Sequence, residues 1–348
     1  RKLLAIHCGD HVELIGFGPA GPERVLHIDK HSGDPKLSWQ PAPLMAADVN
    51  GDRRDDLLVG FAAADASGGP RGGALLEFVQ NEDGSFAPPR LLAPLFVSAL
   101  AVGALDANVG ADVIALHRED SRLDRASQLI AFRGGPAPLK MFATDVASDV
   151  RSVFAIDLDL DGRDEVLLGA MKGPIELLHL GVHSEVAQRE TLAASAIGTA
   201  SLADLNGDGA TDAIVAGAKL WALIATRDQA PTLQVLREPF DASHVVAVDH
   251  DGALELVALR ADRVVVYASS APLHFDREPL TIFGDRDFAL DDLVVLHTNP
   301  PRLAVLGHTP ARSDLVFLPL DSVNRRPTLL AEESTWSDAP LHLSFTVP

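Results

Sequence analysis

Apolar residues in this chain come in short runs, each closed by Gly, Pro, Asp or Asn. APLMAAD, DLLVGFAA, GALLEFVQ and PRLLAPL follow one another, then VSALAVGAL, ADVIALHR, SQLIAFRG and PLKMFAT. TASLAD, DAIVAG, LWALIA and LQVLRE repeat the scheme further along. Runs of four to eight residues rich in Leu, Val, Ala and Ile predict β-strands. No amphipathic run of helical length with caps competes with them.

The strands are punctuated by a recurring acidic stretch. Asp48–Asp56 reads DVNGDRRDD, Asp157–Glu165 reads DLDLDGRDE and Asp204–Asp212 reads DLNGDGATD. Each enters an apolar strand: LLVGFAA, VLLGAM and AIVAGA. Decayed copies follow in LDANVGADVIA from Leu105, VDHDGALELVA from Val248 and LDDLVVL from Leu290. Asp48, Asp106, Asp157, Asp204, Asp249 and Asp291 recur at intervals of 42 to 58 residues. Four strands per period of that length predict the blades of a β-propeller. Blades two to seven are expected over about 41–94, 95–146, 147–194, 195–241, 242–286 and 287–336. KLLAIHCG, HVELIGFG and RVLHIDK supply three strands of blade one, 1–40, and LHLSFTV within 340–348 supplies the fourth. The expectation is an all-β, seven-bladed propeller of four-stranded antiparallel blades. It spans 1–348 as a single domain, closed by pairing the C-terminal strand with the N-terminal blade. Closure removes the open sheet edges that invite aggregation.

Charge narrows the partners. The chain has 29 basic and 49 acidic residues, a net charge of −20. Nucleic acid and anionic membranes both require a basic footprint, so neither is expected as a partner. No apolar run approaches the length of a transmembrane segment. The single cysteine, Cys8, allows no intramolecular disulfide and reads as a small buried hydrophobe. The apolar run before it, Leu3 to Ile6, is too short for a signal core, so any leader is expected to have been removed.

The acidic stretches carry the chemistry. Alternate positions of a tightly curved loop turn their carboxylates toward one point, and such a cluster needs a cation. Ca²⁺ takes six to eight oxygens with flexible geometry, which fits; Zn²⁺ would want His or Cys, which the loops lack. About three Ca²⁺ sites are expected, with ligands from positions 1, 3, 5 and 9 and the carbonyl of position 7. The first is Asp48, Asn50, Asp52 and Asp56 with Arg54. The second is Asp157, Asp159, Asp161 and Glu165 with Arg163. The third is Asp204, Asn206, Asp208 and Asp212 with Ala210. Position 6 is Gly162 and Gly209 in two loops, where a turn needs φ > 0, but Arg53 in the first. That makes the first loop the weakest of the three. An EF-hand opens the same way but needs Glu at position 12, where Val59, Leu168 and Val215 stand. Asp106, Asn108 and Asp112 form a partial set, as do Asp249, Asp251 and Glu255, which lack the first carboxylate.

With the stretch DLLVGFAAADASGGPRGGALLEF the chain resembles the FG-GAP or VCBS repeats of integrin α-subunit propellers and many bacterial surface proteins. The matching features are the D-x-N-x-D loop, the DLLVG strand and the glycines before the next strand. The resemblance covers nearly the whole chain. It implies a calcium-binding propeller whose metal loops join the first and second strands of a blade, away from the usual ligand face. It does not specify a function, and integrin-type signalling does not carry over, because the inserted domain and leg region are missing.

The functional expectation is a calcium-stabilised protein-binding scaffold or adhesion module. Arg71, Arg118, Arg122 and Arg125 mark a partner contact on the second-to-third-strand connections AAADASGGPRGG and HREDSRLDRAS. A carbohydrate-binding lectin is the alternative, although Trp39, Trp221 and Trp336 do not recur at equivalent blade positions. A polysaccharide-active enzyme is a third reading, with neither an HExxH nor a G-x-S-x-G motif behind it. His27 and His31 read as a surface pair rather than a metal pair. Loops of this kind fill at millimolar calcium, so a secreted, periplasmic or cell-surface location is expected.

Overall fold

The structure is a computed structural model. It describes residues 3–7, 11–18, 21–29, 38–64, 70–118, 127–170, 174–181, 185–193, 197–227, 231–250, 253–260, 262–284, 289–296, 302–308, 313–320 and 342–345. Cys8, His31, Arg122, Arg125 and Trp336 fall outside these. The chain divides into two compact units: Arg1–Ala155 with His179–Gln188 and Ala339–Pro348, and Ile156–Leu178 with Arg189–Asp338.

The first unit holds three four-stranded sheets. Leu3–His7, His11–Gly18 and Gly21–Asp29 form one, and His342–Phe345 pairs antiparallel with its first strand. Ser38–Ala47, Asp56–Ala64, Pro70–Phe78 and Arg90–Ala93 form the second. Val97–Gly103, Asp112–His117, Ser127–Arg133 and Leu139–Val146 form the third. Val150–Ile156, Glu165–Ala170, Ile175–Leu180 and Val186–Ala193 make a fourth sheet, whose strands are shared out between the units.

In the second unit Ile197–Ala203, Asp212–Gly217, Leu220–Ile224 and Thr232–Arg237 form a four-stranded sheet. The next contains His244–His250, Ala253–Arg260, Arg263–Ala271 and Leu280–Gly284, with the two-residue strand His274–Phe275 added. The last is Ala289–Leu296, Arg302–His308 and Ser313–Pro319.

Antiparallel meanders of four strands, met in chain order, are propeller blades. The blade count departs from the expectation of seven. Six sheets carry four strands or more and make complete blades; the last has three among the described residues. The seventh blade was marked most weakly in the sequence, where LDDLVVL from Leu290 keeps the aspartates of the motif without its full loop.

The inner strands are apolar because both faces of a sheet are covered there, while outer strands such as Leu139–Val146 and Thr232–Arg237 are largely exposed. Leu57 and Val59 join a core with Val12, Leu14, Leu76 and Phe78, while Leu58 joins Val97, Val113 and Ile130. In the other unit Leu256 and Ala258 pack with Ile214 and Tyr267, and Val257 and Leu259 with Val305 and Val316. Alternate residues therefore serve alternate neighbours, and a one-residue slip would exchange the two cores.

Candidate metal centres

The three acidic loops connect first and second strands and share one hydrogen-bond pattern. At position 1, Asp48 Oδ1 accepts the N–H groups of Gly51 and Asp52 at 2.7 and 2.9 Å, and Oδ2 that of Arg53. Asp204 repeats this with Gly207, Asp208 and Gly209. Asp157 does so with Asp161 and Gly162. At position 3, Asn50, Asp159 and Asn206 accept from the N–H of position 5 at 2.9, 3.1 and 2.9 Å. At position 5, Asp52, Asp161 and Asp208 accept from position 7 at 2.9, 2.8 and 2.8 Å. These nested turns coil the backbone around the side chains, as expected of residues that hydrogen-bond the chain two positions on.

Position 6 has positive φ in all three loops, 68° at Arg53, 89° at Gly162 and 88° at Gly209. Position 4 does too, at Gly51, Leu160 and Gly207, with Leu160 at 60°. The first loop thus carries one strained side chain and the second another, while the third has glycine at both places.

Position 9 is set apart by burial. Asp56, Asp112 and Asp212 are at most 1% exposed and Glu165 is 5% exposed. Asp212 accepts the N–H of Leu205 at 2.9 Å and, through its other oxygen, that of Ala225 just past the third strand at 2.8 Å. Asp112 holds Leu105 and Gly134 in the same way, and Asp56 holds Asn50 and Gln80. Glu165 accepts from Leu158 at 2.9 Å. Burial raises the pKa of Asp112 and Asp212, and pushes Asp56 up to about 6 against the pull of the Gln80 N–H. Asp208 lies on the solvent side, and the Ala210 N–H and Asn206 amide lower its pKa.

Position 2 escaped the sequence reasoning. Val49, Leu105, Leu158 and Leu205 are all buried there. The Val49 carbonyl accepts the Gly135 N–H of the following sheet at 2.7 Å, and the Leu158 carbonyl accepts that of Thr226 at 2.9 Å. The loops at Val49 and Leu158 therefore tie one blade to the next. The signal was available as an apolar residue at the second position of every acidic run.

The structure gathers Asp157, Asp159 and Asp161, each of which offers one carboxylate oxygen, the three lying within 4.8 Å of one another. An oxygen that accepts one N–H keeps a second lone pair, so the backbone bonds leave room for a cation. All donors are oxygens, which suits Ca²⁺. In the first loop a cationic side chain already contacts position 5, with Arg54 Nη2 at 2.5 Å from Asp52 Oδ2. In the third loop Asn206 Nδ2 donates to Asp208 at 2.8 Å.

The decayed loop is displaced from the expected register. Asp106 accepts the N–H of Asn108, so it occupies position 3, and Ala104 stands at position 1. Arg133 Nε donates to Asp106 at 2.8 Å. At Asp249 strand pairing runs through the expected loop, with Asp249 opposite Leu254 and His250 opposite Ala253, while Asp251 lies outside the described residues.

Other candidates fall elsewhere. Arg71 lies in Pro70–Phe78, and pairing of Ala62 with Gly73 and Ala63 with Gly72 turns much of that expected loop into strand. Arg118 follows Asp112–His117. His27 Nδ1 is 2.7 Å from Glu13 Oε1, a cross-strand partner. Trp39 and Trp221 lie in strands, and Lys219 sits 5.6 Å from the Trp221 ring centroid.

No family model matches the chain, and no curated protein matches it by sequence. Solved structures do. The chain is similar to the exotype rhamnogalacturonan lyase YesX at TM-score 0.50 and 10% identity, over 91% of this chain and 68% of that one. The fold is that of a β-propeller. Rhamnogalacturonan lyase YesW gives 0.49 at 12% identity, over 90% and 69%, and the Dos1 propeller 0.49 at 11%, over 74% and 62%. At such identities the likeness is one of fold.

Proposed function

We propose that this chain is a calcium-stabilised β-propeller that acts as a protein-binding scaffold outside the cytoplasm, secreted, periplasmic or on the cell surface. The observation that carries the reading is the gathering of Asp157, Asp159 and Asp161 in a loop whose hydrogen-bond pattern two other loops repeat. Asp48, Asn50 and Asp52 would hold the ion in the first loop, and Asp204, Asn206 and Asp208 in the third. A bound Ca²⁺ neutralises clustered carboxylates and joins residues distant along a loop. The position-1 and position-5 carboxylates order the backbone, and the buried position-9 carboxylate fixes it to the blade. Because the first and second of these loops also bond the next sheet, ordering them supports those neighbouring blades. Broad faces built from loops on such a scaffold suit protein partners. The likeness to rhamnogalacturonan lyase is one of fold, so that enzyme's reaction is not carried over.

Melting curves in Ca²⁺ and in chelator test the metal reading. Calcium at a hundredfold excess over Kd adds about 2.7 kcal/mol per site. Coincident curves would sink it. Asp208→Ala is expected to weaken one site, seen as lost calorimetric stoichiometry. The scaffold reading is tested by passing extract from the protein's own source over the immobilised chain and eluting with chelator. One stoichiometric protein supports it; glycan without protein favours a lectin instead.

A further inference from the structure

Ser243, His244 and Asp292 come together in the second unit. His244 opens the strand His244–His250, Ser243 stands just before it, and Asp292 lies in Ala289–Leu296 of the following sheet. His244 Nδ1 is 3.2 Å from Ser243 Oγ, and its Nε2 is 3.6 Å from Asp292 Oδ1. A hydroxyl, an imidazole and a carboxylate met in that order are the nucleophile, base and orienting group of acyl transfer, wherever they fall along a chain.

Exposure follows the same order. Ser243 is exposed, the His244 side chain is 33% exposed and that of Asp292 17%. The hydroxyl is open to a substrate, and the carboxylate sits where water screens it less. Backbone bonds hold the three groups in place. The Ser243 N–H donates to the Leu259 carbonyl at 2.8 Å, the Val245 N–H to Thr199 Oγ1 at 3.2 Å and the Leu293 N–H to Asp292 Oδ1 at 2.8 Å. Ser243 Oγ donates to the Leu259 carbonyl at 3.2 Å, the same distance that separates it from His244 Nδ1. A hydroxyl hydrogen rotates freely, so it can turn from the carbonyl to the imidazole without moving the serine oxygen.

We propose that Ser243, with His244 as its base and Asp292 beyond the ring, is a nucleophile toward carboxylic esters, an activity additional to the scaffold role and independent of the calcium loops. Ser243 Oγ attacks the ester carbonyl carbon while His244 Nδ1 takes its proton. Asp292 stabilises the imidazolium that forms. The imidazolium returns the proton to the alcohol oxygen as the ester C–O bond breaks, which leaves an acyl-serine. Water then attacks the acyl carbon and gives a proton to His244, and Ser243 Oγ departs with it. The balance is ester plus water to carboxylic acid plus alcohol.

The test treats the full chain with a fluorophosphonate, which phosphonylates activated serines, and follows its hydrolysis of p-nitrophenyl acetate. Peptide mass spectrometry of the wild type is expected to place the phosphonate on Ser243, a result that needs no variant to fold. Ser243→Ala should lose the label, and Ser243→Ala and His244→Gln should each lower the hydrolysis rate about a hundredfold. Asp292→Asn should lower it by a smaller factor. An unlabelled Ser243 overturns the proposal, as does label found only on other serines. So does a wild-type rate in Ser243→Ala or in His244→Gln, since a His244–Asp292 contact that merely joins two sheets would alter the melting point and leave labelling and hydrolysis unmoved.

Discussion

The loop at 204–212 and the one at 104–112 occupy equivalent connections, yet only the first keeps its full acidic set. Asp204 and Asp208 have become Ala104 and Asn108. What survives in both is the buried carboxylate at position 9, with the same two backbone partners. The decayed loop also places Arg133 on Asp106, a cationic side chain beside the one outer carboxylate that remains. The position-9 aspartate is thus a fastener of the fold, and the exposed carboxylates form a separable layer above it. A loop can lose the outer layer and still hold its shape.

The sharpest way to break this distinction is to remove the fasteners. Asp212→Ala and Asp112→Ala each leave buried N–H groups without partners, at a cost of about 3 kcal/mol. Urea unfolding in chelator should give similar losses for the two; a much smaller loss at Asp112 would mean the loops are not built alike. Gly209→Ala comes next. Its φ is +88° and nothing lies within 4 Å of the added Cβ, so the cost is backbone alone, about 1–2 kcal/mol.

Acid titration probes the fasteners together. Asp56 has a folded pKa of about 6, above its ordinary 3.8, and burial moves Asp112 and Asp212 in the same direction. A protonated carboxyl therefore favours the folded state. In chelator the stability from Asp56, on the order of 1 kcal/mol, is full below about pH 3.8 and is lost as pH rises through about 6. Denaturation midpoints across that window, compared between wild type and Asp56→Asn, check the sign. The smallest effect is expected from Arg133→Ala. Its ion pair is exposed, so about 0.5 kcal/mol should disappear in calcium and in chelator alike.

Strands were legible because each apolar run ends at a turn residue, and because sheets buried on both faces need no polar alternation. Gly162 and Gly209 announced the left-handed backbone at position 6, and Arg53 follows it without a glycine. Position 4 was hidden, since Gly51, Leu160 and Gly207 show no single residue type there. The register of the decayed loop was misjudged because Asp106 invited alignment as a first aspartate, whereas the fixed points are Leu105 and Asp112. The grip of Asp212 on Ala225 is a contact across the sheet, and no spacing in the sequence reveals it. The last blade shows the converse limit, where the period was extended over a stretch with only a decayed acidic motif, and three strands stand among the described residues.

One pairing governs the order in which the protein can be assembled. His342–Phe345 lies against Leu3–His7, with Ile6 opposite Leu343 more than 300 residues along the chain. During synthesis the edge of Leu3–His7 waits bare while every intervening blade emerges from the ribosome. A contact of such long sequence separation closes late. Until then, a nascent chain with its first three strands already folded offers that edge to any passing strand. The step most exposed to misassembly is therefore the final one, and a chaperone that shields this edge would protect the protein where it is most vulnerable.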